Sequence, residues 1–154
     1  MTAYFLDSSA LVKRYVAEIG SAWVQAITAP ETSNSLIIAQ IAWVEVLSAL
    51  ARRQREGSLS ASDVDGIIQD FRIDLATQYQ VLEMSQTLCE VAGQLLLTYP
   101  MRAYDAVQLA SVLQIQLAFA SVTSISLVFL TADERLIGIA QTEGLLSDNP
   151  NHHS

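Results

Sequence analysis

The 154 residues are 51% hydrophobic and only 16% charged, with eight Lys and Arg against sixteen Asp and Glu for a net charge of −8. That length suits one domain with a real core and is too short for two, and the negative balance repels nucleic acid over most of the surface, so any nucleic-acid site must be local and metal-assisted. A single cysteine, Cys89, excludes an internal disulfide and a Cys-rich zinc site and fits a reducing cytoplasm.

Residues 3–6 form a short apolar run ending at Asp7, read as a buried strand that turns through Ser8 and Ser9 into a helix over about 10–18. The N-terminal stretch has no basic region and reaches an acid after few apolar residues, so it is no signal peptide. A short helix carrying Trp23, Val24 and Ile27 follows Gly20, and residues 29–35 are a loop. Residues 36–39 are a second strand. A helix over about 41–56 places Trp43, Val46, Leu47 and Leu50 on one face and closes at Gly57. Ser60 or Ser62 caps the next helix, whose stripe is Ile67, Ile68, Phe71 and Leu75.

Residues 79–84 form a third strand with Val81 and Leu82 at its centre. A helix from Ser85, repeating Leu88, Val91, Ala92 and Leu95, ends at Tyr99-Pro100. Another runs over about 103–119, and Gln108, Gln114 and Gln116 within the uncharged stretch 106–130 argue against a membrane span. Residues 126–130 are a fourth strand, Thr131-Ala132-Asp133 caps the last helix, and Leu145-Leu146 reads as a short edge strand. The domain is placed at 1–147, with a frayed, flexible tail over 148–154. Strands separated by helices predict a parallel sheet with helices on both faces and a ligand site outside the strands' C-terminal ends.

Three carboxylates stand apart from other charge. Asp7 is the only charged residue among the first twelve, Glu45 the only one between Glu31 and Arg52, and Asp105 the only one from Ala103 to Ala132. A carboxylate in apolar company must be paired, protonated or metal-bound. Each has an ordinary explanation: Asp7 caps a helix with Ser8 or Ser9, Asp105 pairs with Arg102 in a first helical turn, and Glu45 finds Arg72. Asp133 is a fourth candidate, since like Asp7 it follows a hydrophobic strand. Carboxylates converging in one dry cleft favour a divalent cation, and oxygen-only ligands favour Mg2+ or Mn2+ over zinc. Such a site suits metal-assisted hydrolysis of a phosphodiester.

The segments carrying these acids resemble a known family. Tyr-Phe-Leu-Asp-Ser-Ser-Ala-Leu-Val-Lys at 4–13, Glu45 after Gln-Ile-Ala-Trp-Val, Arg-Ala-Tyr-Asp-Ala-Val-Gln-Leu-Ala at 102–110 and Phe-Leu-Thr-Ala-Asp-Glu-Arg-Leu at 129–136 are similar to PIN-domain proteins. Among these the chain most resembles the VapC-type toxins of bacterial toxin–antitoxin pairs. The resemblance implies a PIN-like three-layer α/β/α sandwich around a parallel sheet of four or five strands. It implies a Mg2+ or Mn2+ dependent endoribonuclease, cytoplasmic, homodimeric and blocked by a cognate antitoxin. By the same resemblance Asp7 and Asp105 correspond to the principal metal ligands, Glu45 and Asp133 to the third and fourth acids, and Ser9 and Thr131 to supporting hydroxyls.

Arg52 and Arg53, about two helical turns beyond Glu45, are then candidates to hold the RNA backbone, with Arg102 and Lys13 beside them. Their ordinary role is that of solvated cations at a helix end. Trp23, Trp43, Tyr99 and Tyr104 are expected in the core or a dimer contact, Cys89 in the core, and His152 and His153 are not ligands. Two other functions fit the acids less well: a catalytically silent PIN-like module binding RNA or protein, and a metal-dependent small-molecule phosphatase.

Overall fold

A computed structural model describes residues 2–122 and 124–154. Five strands, β1 (Thr2–Leu6), β2 (Ser35–Ala39), β3 (Tyr79–Leu82), β4 (Ser126–Leu130) and β5 (Ser147–Asp148), form one sheet. All pairings are parallel, in the order β3-β2-β1-β4-β5. Alternation along β1 sends Ala3 and Phe5 to one face and Leu6 to the other, so the two faces carry separate cores. One face is covered by α1 (Ser8–Leu11), α2 (Ser21–Thr28), α3 (Ala42–Arg55) and α4 (Ala61–Thr77), through Leu11, Val24, Val46, Leu50 and Phe71. The other is covered by α5 (Gln86–Thr98), α6 (Ala103–Phe119) and α7 (Glu134–Thr142), through Leu88, Leu95, Leu109, Val112 and Leu136. Each such side chain, fully buried, stabilises the fold by about 1.5–3 kcal/mol. This is the α/β/α sandwich expected, with the upper of the two strand counts.

Local chemistry sets the element ends. Ser60 Oγ accepts from Asp63 N–H at 3.0 Å while Asp63 Oδ2 accepts from Ser60 N–H at 2.9 Å, so Ser60, not Ser62, caps α4. The helix expected over 10–18 is shorter: α1 tightens into a 3-10 turn at Val12–Arg14 and stops. The loop expected over 29–35 includes a 3-10 turn at Pro30–Thr32. β3 is an edge strand, and its Val81 is exposed.

Three corrections concern packing. Leu145 is buried in the core, and the edge strand is paired two residues later, Ser147 with Phe129 and Asp148 with Leu130. Cys89 is exposed, because the buried stripe of α5 is Leu88, Ala92 and Leu95 and position 89 turns away from it. The segment after residue 147 is packed, not frayed. Asn149 and Pro150 are buried, His153 stacks on Trp23 with ring centroids 3.9 Å apart, and His153 Nε2 lies 2.8 Å from Asp148 Oδ2. Gly20 receives this segment at φ +84°, where any Cβ would lie 2.3 Å from the Pro150 carbonyl oxygen.

Candidate active site

The strand order reverses direction at β1, whose neighbours are β2 on one side and β4 on the other, so a crevice opens outside the C-terminal ends of β1 and β4. Asp7 follows β1 directly, with its backbone N–H on Leu130 O at 3.0 Å. Its Oδ1 accepts from Ala10 N–H at 3.0 Å and from Ser9 Oγ at 2.6 Å, so it caps α1 while buried at the end of β1. Ser9 Oγ lies 3.4 Å from Thr131 Oγ1 and accepts from Ala132 N–H at 2.9 Å, tying the ends of β1 and β4 together. Both hydroxyls therefore stand beside the Asp7 carboxylate. Burial is the main force on Asp7 and, with the nearby Glu45 charge, outweighs its hydrogen bonds to Ser9, Thr131 and Ala10, raising its pKa to about 6.

Glu45, in the first turn of α3, is not paired with Arg72, whose guanidinium lies over Trp43 at 4.7 Å. Its carboxylate accepts from Ser8 Oγ at 2.9 Å and from Gln108 Nε2 at 2.7 Å. Burial raises its pKa; those two hydrogen bonds oppose the rise, Asp105 adds to it and Arg102 opposes it. Gln108 is 1% exposed, and its Oε1 is a buried acceptor without a partner among the described residues. Sequence reading counted Gln108 only as a polar interruption of α6. The missed signal was its spacing, one helical turn after Asp105 and so on the same face.

Asp105 lies in the first turn of α6, its side chain 18% exposed, with Oδ2 3.2 Å from Nε of an 82% exposed Arg102. Asp7, Glu45 and Asp105 are thus linked electrostatically in sequence, Asp7 to Glu45 and Glu45 to Asp105. Asp133 stands apart: its Oδ1 caps α7 by accepting from Arg135 N–H at 2.9 Å and Leu136 N–H at 3.4 Å. Its own N–H donates to Thr131 Oγ1 at 3.2 Å, which connects it to the Asp7 side of the crevice through the hydroxyl pair.

A cleft of about 480 Å3 opens over Glu45 and Asp105, lined also by Ser8, Ser9, Arg102 and Ala132, while Asp7 and Asp133 lie outside its lining. Lys13, Glu18, Arg52 and Arg53 line its far end, and Tyr104 its rim. Tyr104, expected in the core or a dimer contact, is not in the core but 60% exposed. The four basic residues do not act alike. Glu18 holds both Lys13 and Arg53, Arg102 is paired with Asp105, and Arg52 is exposed.

Among the described residues, no three His, Cys, Asp or Glu side chains gather closely enough to hold an ion as they stand. Asp105 is turned onto Arg102, and Glu45 onto Ser8 and Gln108. The donors nevertheless fit a hard cation. They are all oxygens, two of the three linked acids have raised pKa values, and the guanidinium on Asp105 occupies a position that positive charge favours.

The profile of the family described as PIN domain matches residues 4–141. Ribonuclease VapC45 of Mycobacterium tuberculosis is 30% identical over 115 residues, 75% of this chain and 78% of that protein. The M. tuberculosis toxin VapC20, described as cleaving the Sarcin-Ricin loop, superposes with a TM-score of 0.62 at 15% identity over 88% of this chain and 94% of its own. A toxin–antitoxin complex from Klebsiella pneumoniae gives 0.57 at 22% identity over 96% and 97%. At these identities the two solved structures speak to the fold. Among the described residues, no helix is long and apolar enough to cross a membrane.

Proposed function

Because the chain belongs to the PIN domain family and, within it, to the VapC-type ribonucleases, we propose that it is the endoribonuclease toxin of a toxin–antitoxin pair, acting in the cytoplasm on RNA phosphodiester bonds. The observation that carries the site assignment is the linked set Asp7, Glu45 and Asp105 at the C-terminal end of the central strands, with two pKa values raised by burial. These three would hold Mg2+ or Mn2+, with Asp133 reached through Thr131 and serving from one side. The chemistry such an ion supplies is Lewis acidity toward phosphate oxygens and a water acidified to near neutrality.

The chain's own residues do the rest. Ser9 and Thr131 hold Asp7 in place, Ser8 and Gln108 fix the plane of the Glu45 carboxylate, and the cleft gives access to Glu45 and Asp105. Exposed Leu96, Leu97 and Leu117 on α5 and α6 supply apolar surface for a homodimer. The acidic surface suits a basic antitoxin.

The test is RNA cleavage by wild type and Asp105→Asn, each with Mn2+ or EDTA. Wild type with Mn2+ cleaves, while EDTA and Asp105→Asn each abolish cleavage. Equal cleavage by Asp105→Asn would refute the site. Binding of RNA without cleavage by wild type would favour the silent module instead.

A further inference from the structure

At the far end of the cleft one carboxylate holds two cations from separate elements. Glu18 Oε1 is 3.3 Å from Lys13 Nζ, and Glu18 Oε2 is 3.1 Å from Arg53 Nη2. Lys13 is only 5% exposed and also donates to Ile19 O at 2.8 Å, while Arg53 Nη1 donates to Ala49 O at 3.0 Å. Two oxygens of one anion, each on its own cation, is also how the two free oxygens of a phosphodiester are bound. Arg52 flanks the pair, and all four residues line the cleft that contains Glu45 and Asp105. Arg53 follows Glu45 by eight residues of α3, about 12 Å along the axis, too far to serve the phosphate at the acids.

We propose that Lys13, Arg53 and Arg52 form a second phosphate-binding subsite, for the RNA strand flanking the cleaved bond, and that the Glu18 carboxylate occupies it as an internal anion until RNA displaces it. The identity of the anion as RNA rests on the ribonuclease reading above; the subsite itself rests on geometry.

Glu18 is the member free to leave. Its side chain is 29% exposed against 6% for that of Lys13. Its backbone stays anchored, because Glu18 N–H donates to Ser21 Oγ at 2.9 Å and Ser21 Oγ donates to Val16 O at 2.9 Å. Exchange therefore needs a side-chain rotation and no loop movement. Departure alone would leave a buried ammonium with one carbonyl as partner, a costly state. Arrival of phosphate and loss of Glu18 are thereby coupled. The arrangement also keeps this patch from trapping polyanions that do not reach the acids.

Binding of a short mixed-sequence single-stranded RNA to Asp105→Asn, with and without Glu18→Gln, tests the proposal. Glu18→Gln should tighten binding about tenfold at low salt, as expected when two partly exposed ion pairs no longer compete. It should also steepen the slope of log affinity against log salt by about 0.7 per freed cation, and adding Arg53→Gln should remove that residue's share of both effects, leaving the share of Lys13. Calorimetry with inorganic pyrophosphate and no metal reads the subsite independently: Glu18→Gln binds it more tightly than the parent protein does. If pyrophosphate behaves so but no variant binds RNA, the subsite stands and the ribonuclease reading falls. Unchanged or weaker binding of both probes by Glu18→Gln overturns the proposal, with Glu18 then a staple that holds the cations in place. Should Glu18→Gln fail to fold, Arg53→Gln alone decides. A salt slope shallower by about 0.7 supports a phosphate contact, and an unchanged slope refutes it.

Discussion

Replacing Gln108 by Leu separates the folding role of that side chain from its role at the site. The substitution removes the 2.7 Å hydrogen bond to Glu45 Oε1, which as a bond to a charged group is worth about 1.5–3 kcal/mol. It also removes the partnerless buried Oε1, whose burial costs about 1–3 kcal/mol. The two nearly cancel, and Leu fills a similar volume in an apolar helix face, so urea denaturation should show a change within about 1 kcal/mol. Activity has no such compensation. Glu45 loses one of the two hydrogen bonds that oppose the burial-driven rise in its pKa, together with the contact that fixes its orientation. Losses of this kind around a metal ligand typically cost about 10–100-fold in affinity or activity. Cleavage at limiting Mn2+, with Mn2+ affinity measured separately, is the assay. Cleavage within about twofold of wild type at unchanged stability would show that Gln108 does not position Glu45. A stability loss above about 3 kcal/mol would show that it serves the fold instead.

Asp7→Asn should stabilise the metal-free protein. A folded pKa of about 6 against the ordinary carboxyl value of 3.8 makes ionised Asp7 a cost that is absent below pH about 4 and complete above pH about 6, worth up to about 3 kcal/mol. Urea titrations in EDTA at several pH values should show the gain at neutral pH and its disappearance in acid. A gain that persisted at low pH would contradict this account. Arg102→Ala removes the cation paired with Asp105 and should tighten Mn2+ binding several-fold without RNA present, an exposed pair being worth about 0.2–1 kcal/mol; weaker Mn2+ binding would show that Arg102 assists the ion.

What the sequence showed and what it hid follow from the range of each interaction. Strands and helix faces were legible because periodicity is local, and the three isolated acids stood out because an apolar neighbourhood in sequence usually means one in space. Partners across the fold were not legible. Glu45 is satisfied by Gln108 and Ser8 rather than by Arg72, and Lys13 and Arg53, read as candidate contacts for the RNA backbone, are neutralised by Glu18, which was read only as a helix end. The polarity of residues 148–154 suggested fraying. Asp148 and His153 satisfy each other, which lets the segment lie against Trp23 despite its composition.

The central place of β1 also orders events during synthesis. Asp7 follows β1, but the strand on one side of it, β4, is made only after β2, β3 and the helices between them, and Gly20 waits longer still for Pro150. Contacts of such sequence separation form only after the intervening chain has emerged. The crevice between β1 and β4 therefore cannot close on the ribosome until β4 has emerged, and a product truncated before β4 would lack that side of it.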